Sequence, residues 1–275
     1  MKKIFYAVMI LLLTTLSTGC FSDDAGGEIK IGMIKYLNAS EENMNELIKK
    51  IEQKNGENFS NYSTVYYDTF NSMEMGLSAG NISEMSTYRS VSNYVTGRNS
   101  ALVPAPIAFK LSDSFCCAFR QEDSALRDDF DKALNSMISD GALINLTSQY
   151  ITKFSAGVEP QAIEMPRFGG VQTVKVAVTG DLPPLDLIKA DGTPAGFNTA
   201  VLAEISRRIN KNIELVSIDS GARASALMSG VADVLFWARR PDDNSDLPAN
   251  IDQPDGIIFS TPYFSDKIVH LKLNQ

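Results

Sequence analysis

Histidine and cysteine are nearly missing from this chain: 1 His, at position 270, and 3 Cys, at 20, 116 and 117. No Cys-x-x-Cys and no His/carboxylate spacing suited to zinc is present, and a lone histidine gives a Ser-His-Asp triad little to stand on. No metal, cofactor or covalent chemistry is therefore expected. Cys116 and Cys117 are adjacent, so an extended backbone points them to opposite faces. They cannot build a disulfide framework and are expected as small buried hydrophobes. Basic blocks are missing as well. The formal net charge is −8, and without a Lys/Arg-rich run nothing can track a phosphate backbone, which excludes nucleic acid as a partner.

What the first residues do carry is an export signal. Lys2 and Lys3 precede an apolar run, Ile4 to Leu16, that is too short to span a bilayer comfortably. Residues 1–20 read as a signal peptide whose end, Leu16-Ser17-Thr18-Gly19-Cys20, resembles a bacterial lipoprotein cleavage site, with the usual leucine one place further back. That resemblance implies lipidation of Cys20. An ordinary secretory signal with a chance cysteine is the other reading, and both export the chain. Residues 21–27 read as a flexible tether. Loss of Lys2 and Lys3 takes the net charge to about −10. The expected location is the periplasm or the outer face of a bacterial cytoplasmic membrane. One acyl chain anchors only marginally, so stable attachment needs several.

Beyond the tether, short β-branched or apolar runs alternate with amphipathic helices, which is α/β patterning. Strands are expected at Ile29–Ile34, Thr64–Tyr67, Ile82–Met85 and within Ile107–Arg120. Helices are expected at Ser40–Gln53, with Asn38 and Glu41 as a capping box, and at Ser72–Ser78, Val91–Val95, Ser124–Ile138 and Ala142–Phe154. Residues 156–172 lose periodicity and carry Gly157, Pro160, Pro166, Gly169 and Gly170, so they read as a linker. The pattern then restarts, with strands Val174–Val178, Asn212–Val216 and Val234–Trp237 and one or two within Ile257–Leu273. Helices are expected at Asn198–Arg208 and Arg223–Ser229.

The second half carries four recognisable pieces in order: Pro183-Pro184-Leu185; Asp191-Gly192 followed by Gly196-Phe197-Asn198; Ala226-Leu227 followed by Gly230 and Asp233; and Phe259-Ser260-Thr261-Pro262-Tyr263. Together they resemble the N-terminal lobe of the family 3 extracytoplasmic solute-binding proteins, which serve ABC importers of amino acids and related polar solutes. Earlier in the chain, Leu77 to Ser83 is similar to the second lobe's Leu-x-x-Gly-x-x-Asp, and Arg120 to Tyr150 resembles that family's C-terminal end. The halves thus stand in circularly permuted order: 28–155 as second lobe plus C-terminal helices, 156–172 as linker, 173–275 as N-terminal lobe. Two incomplete tandem copies are the alternative.

The resemblance implies a two-lobed periplasmic-binding-protein-like fold of type 2, with mixed sheets flanked by helices and a cleft closed by a hinge. It implies an ABC permease as partner, a monomer, and an Arg after the Leu-x-x-Gly-x-x-Asp strand that holds a solute carboxylate. Arg239 and Arg240 stand there, beside Trp237, and a guanidinium fork suits a carboxylate. An exposed Arg pair at a strand end is the plainer alternative. Leu185 replaces the family's aromatic residue, with Asp186 next to it. Asn38 and Ser40, with Tyr36 nearby, offer anion contacts at a helix start, or simple capping. Asp68 meets a ligand or caps a helix. The acidic residue that takes the solute's ammonium falls near Ser86 to Tyr88, where none is present; Glu84 is the nearest. The expected solute is small, polar and amino-acid-like. The competing readings are a sensor or scaffold with a decayed cleft and, more remotely, an enzyme pairing Glu84 with Asp68 or Asp186.

Overall fold

The structure is a computed structural model that describes residues 28–55, 61–107, 111–154, 156–241 and 247–274. The leader, Cys20 and the tether lie outside the described residues. The first half runs β1 (Ile29–Ile34), α1 (Glu41–Asn55), β2 (Tyr62–Tyr67), α2 (Phe70–Ser78), β3 (Glu84–Tyr88), α3 (Arg89–Arg98), β4 (Leu102–Ala105), β5 (Ser112–Arg120), α4 (Ser124–Ser139) and α5 (Ala142–Thr147). The second half runs β6 (Thr173–Val178), β7 (Asp181–Leu182), β8 (Asp186–Ile188), β9 (Pro194–Ala195), α6 (Phe197–Ile209), β10 (Asn212–Ser217), α7 (Arg223–Met228), β11 (Val234–Pro241), β12 (Ile257–Phe259) and β13 (Phe264–Leu273).

One sheet of order β10-β6-β11-β5-β13-β3-β1-β2 runs through the molecule, with β12 paired to β5 and β4 to β13. It divides into two groups built on one plan. In lobe A the parallel strands β2-β1-β3 are followed by antiparallel β13 and β4. In lobe B parallel β10-β6-β11 are followed by antiparallel β5 and β12. In each lobe the fourth strand comes from the other half of the sequence. The lobes join where β5 and β13 pair antiparallel, from Phe264 opposite Phe115 to Lys267 opposite Ser112. Beyond Lys267, β13 changes partner from β5 to β3. This is the hinge.

Sequence period explains the local structure. β6 reads Thr-Val-Lys-Val-Ala-Val, and its buried positions are Val174 and every residue from Val176 to Val178, as suits a strand covered on both faces. On α6, Phe197, Val201, Leu202 and Ile205 recur at helical spacing and are wholly buried. Gly196 precedes that helix at φ 95, Arg207 and Arg208 stand in its last turn, where cations complement the helix dipole, and Asn210 ends it at φ 50. Helices α4 and α5 pack on α6 and so belong to lobe B. Phe130 and Leu134 of α4, both fully buried, each contribute about 1.5–3 kcal/mol.

Several boundaries differ from expectation. β3 starts two residues later than expected and runs on to Tyr88. β4 was not anticipated, being four residues that include Pro104. Ser40, not Asn38, caps α1: its Oγ accepts the Asn43 N–H at 3.2 Å, while Glu41 reaches across to the Tyr66 N–H at 2.8 Å. Cys116 and Cys117 are free and fully buried, and burial raises both thiols, Cys116 to about 12. Residues 156–172 touch both lobes. Gly157 lies so close to the end of α3 that an added Cβ would meet the Gly97 carbonyl at 2.7 Å, and Ile163 then bonds to Pro194 beside β9.

Candidate binding site in the seam between the lobes

The loops that follow the carboxyl ends of the parallel strands face each other across the two lobes, the usual place for a ligand in such sheets. Lobe A supplies the residues after Ile34, Tyr67 and Tyr88. Lobe B supplies those after Val178 and Ser217 and the middle of β11.

On β11 the register against β5 shifts between Leu235 and Ala238, and Trp237 lies at φ 53. A bulky residue in that region is a true outlier, and a bulge of this kind re-aims side chains. Phe236 stacks on Tyr263 at 4.7 Å, while Trp237 and Arg239 enter the seam and Arg240 is exposed. Arg239 is 5% exposed. Its guanidinium carbon lies 3.2 Å from the centre of the Tyr36 ring of lobe A, and Nη2 donates to the Ile34 carbonyl at 2.9 Å. One lobe B side chain thus grips two lobe A residues. Burial opposes its charge, but the acidic groups around it, the Asp252 and Asp113 carboxylates among them, outweigh burial and push its pKa up.

A second guanidinium, Arg223 at the start of α7, is fully buried. It lies 4.7 Å from the Trp237 ring centre and donates to the Trp237 carbonyl at 3.0 Å. Burial pulls its pKa down to about 10, still far above neutrality. Asp252, between β11 and β12, serves both cations. Its Oδ1 accepts the Leu37 N–H of lobe A, and Oδ2 accepts the Arg239 N–H at 3.1 Å. Tyr88 donates to Asp113 Oδ2 at 2.9 Å and meets Trp237 edge-on at 6.4 Å. Arg239 Nε, Arg223 Nη2 and Thr87 Oγ1 are buried without a hydrogen-bond partner. The cavity bounded by Tyr36, Tyr88, Trp237, Arg239 and Thr87 measures about 20 Å³, room for about one water.

Two further contacts close the seam. Asp181 Oδ2 accepts the Phe70 N–H at 2.5 Å, capping α2 from the opposite lobe. Ser220 of lobe B gives both its N–H (3.1 Å) and its hydroxyl (2.8 Å) to the Asp68 carbonyl. Beside Asp181, between α2, α3 and β8, lies an open cavity of about 500 Å³. It is far roomier than the seam, but the convergent cations and aromatic rings stand in the smaller one.

The sequence-derived candidates divide. Tyr36, Tyr88, Trp237 and Arg239 meet in the seam. Asp68 lies at its rim, 3.2 Å from Lys35 Nζ. Asn38 and Ser40 are exposed at the start of α1. Leu185 is core. Asp186 is buried and accepts the N–H groups of Thr179 and Gly180 and the Thr179 hydroxyl, each at 3.0 Å, so it braces a turn. Glu84 stands at the other end of β3, bonded to His270 Nδ1 at 2.9 Å. The carboxylates considered for acid/base work, Glu84, Asp68 and Asp186, are thus each engaged by different partners. Arg223, Asp252, Asp181 and Ser220 were not foreseen. Among the described residues there is no His/Cys/Asp/Glu group suited to a metal, and no helix is long and apolar enough to cross a membrane.

Residues 174–242 match the model of the bacterial extracellular solute-binding proteins, family 3. The match covers β6 to β11, the parallel half of lobe B and its bulged strand. Among solved structures, the ligand-binding component of an ABC-type import system from Staphylococcus aureus, with zinc bound, is similar at 9% identity and TM-score 0.42, over 89% of this chain and 65% of that one. This chain thus spans just under two thirds of that protein. A nutrient-binding protein from Burkholderia cenocepacia bound to methionine is similar at 12% identity and TM-score 0.40, over 89% and 84%. The VFT2 domain of BvgS from Bordetella pertussis gives 11% and 0.39, over 89% and 80%. No curated protein matches the chain in sequence.

Proposed function

We propose that this is an exported, lipid-anchored binding protein that closes its lobes over a small polar, amino-acid-like solute and presents it to a membrane ABC permease. The observation that carries this reading is Arg239. It is a charged guanidinium buried at the meeting of both lobes, gripping lobe A through Tyr36 and Ile34, with Nε unsatisfied. An unmet charged donor held in a buried seam suits a carboxylate far better than it suits a structural role. The solute enters only when the lobes part, because about 20 Å³ admits no amino acid. The family match over 174–242 supports the solute-binding class. The circularly permuted order of the halves is part of the same reading.

The test is a thermal-shift screen of the detergent-solubilised full chain against amino acids, short peptides, polyamines and organic acids, since a solute that binds only the folded state raises its melting temperature. A hit lost in Arg239→Ala supports the reading. Silence across the panel favours the second reading, a sensor or scaffold with a decayed cleft, for which the near-complete filling of the seam by Tyr36, Tyr88 and Trp237 speaks. For the anchor, Cys20→Ala should move the protein from the membrane to the soluble fraction; unchanged attachment removes lipidation from the proposal.

A further inference from the structure

Asp252 is the one fully buried residue in the stretch Pro248–Gly256. The bonds inside that stretch are local turns, Ile251 N–H to the Pro248 carbonyl at 3.0 Å and Gln253 N–H to the Asn250 carbonyl at 3.1 Å. Pro248, Ala249, Asn250, Asp255 and Gly256 face solvent. The stretch is a short surface arm that inserts a single carboxylate. That carboxylate takes an N–H from Leu37 of lobe A and one from Arg239 of lobe B, and it faces both buried guanidinia. Its fit is incomplete. Oδ2 stands 3.8 Å from Arg239 Nε, beyond hydrogen-bond reach, and Nε and Arg223 Nη2 stay unsatisfied. The backbone of the arm fixes where the carboxylate can go, and a free carboxylate has no such tether.

We infer that Asp252 is a built-in carboxylate ligand that holds the lobes closed in the absence of solute, and that the solute is itself a carboxylate which displaces it. The inference rests on the reading of the seam as a solute site and names both the class of solute and the competitor it meets. Closure without solute follows from the two N–H bonds of Asp252, one to each lobe. Entry becomes an exchange of one carboxylate for another, in which the incoming group gains the guanidinium N–H bonds that Asp252 cannot reach. Apparent affinity of the wild type is lowered by the fraction of time the arm is out.

Chemical rescue tests this directly. In the full chain, Asp252→Ala should lower the melting temperature, and sodium acetate should restore it in a saturable way. Matched sodium chloride should not, and wild type should not respond to acetate over the same range. Acetate stabilising wild type and variant equally, or neither, overturns the inference. Should Asp252→Ala fail to fold, Asp252→Asn keeps the volume and one acceptor while removing the charge; it should bind acetate more tightly than wild type does, and equal binding overturns the inference. The two readings fail separately. Rescue by acetate with a wild type silent to every solute supports the carboxylate site while sinking the transport role. A wild type that binds solutes, together with an Asp252→Ala variant that ignores acetate, keeps the transport role and sinks the built-in ligand.

Discussion

The hinge and the seam both join lobe A to lobe B, and they do so by opposite means. At the hinge, β5 and β13 form a continuous ladder, Ser114 and Ser265 share a hydroxyl bond at 2.7 Å, and Phe115 packs against Tyr88, Tyr263, Phe264 and Trp237. The ladder also sets Asp266 opposite Asp113 and Lys267 opposite Ser112, but the ring cluster at its centre carries no charge. At the seam most closing bonds have a charged partner: Asp181 on the α2 N-terminus, Asp252 between Leu37 and Arg239, Arg239 on Tyr36. Apolar contacts lose their worth wherever they are exposed, whereas charged groups released from a closed seam are welcomed by water. The hinge is therefore costly to break and the seam cheap to open, which is what a closing cleft requires.

The largest expected effect is at the hinge. Phe115 is 1% exposed and central to the aromatic cluster, so Phe115→Ala should cost about 3–5 kcal/mol in denaturant unfolding and leave the radius of gyration of the folded state unchanged. A variant that instead expands while keeping its stability would reverse the roles assigned to hinge and seam. Next comes Arg239→Met. Removing one partner of a permanently buried pair costs about 3–5 kcal/mol, but an opening seam hydrates Asp252 and limits the loss to about 2 kcal/mol. Small-angle scattering should then show the variant expanded, and a compact variant with the full loss would mean that the seam does not open.

This contrast also explains what the sequence made legible. The hinge and both halves of the sheet are written locally, in the β-branched runs of Ile29–Ile34 and Val174–Val178, the helical period of Phe197–Ile209, and the Phe-Ser-x-Pro-Tyr stretch entering β13. The seam is written in pairs that sequence reading cannot join. Leu37 and Asp252 are 215 positions apart, and Asp252 lies in a Pro/Gly-rich turn with no period to mark it. Arg223 looked like an ordinary helix-start arginine, and only the fold turns it inward over Trp237. Arg239 and Arg240 were indistinguishable until the bulge at Trp237 set which of them faces lobe A. Glu84 was singled out by nearness in sequence, but it sits at the far end of a short strand. Fewer than five residues with an internal proline left β4 without a signal.

Acid should stabilise the folded chain through Asp181. Burial, reinforced by Asp186 and Asp219 and opposed by the Phe70 and Asn71 N–H groups, pushes the Asp181 carboxyl from 3.8 up to about 6. Between those values the unfolded chain has lost this proton and the folded chain keeps it, so this group's contribution to stability falls as pH rises from about 4 to about 6 and stays low above that. In Asp181→Asn that pH-dependent increment, about 2 kcal/mol after allowing for the group's residual solvation, should vanish from the difference between unfolding at pH 7 and at pH 4.5. An unchanged difference would place the titration elsewhere.

The smallest effect belongs to the rim. Lys35 and Asp68 approach to 3.2 Å, yet their side chains are 41% and 50% exposed, so solvent already screens the pair and Lys35→Ala should cost less than about 1 kcal/mol. Added salt should erase even that, since exposed pairs weaken at high ionic strength, whereas the loss in Arg239→Met should persist because Asp252 and the guanidinium are shielded from ions while the seam is shut. A Lys35→Ala loss equal to that of Arg239→Met and insensitive to salt would mean that this pair within lobe A is not screened as its exposure requires.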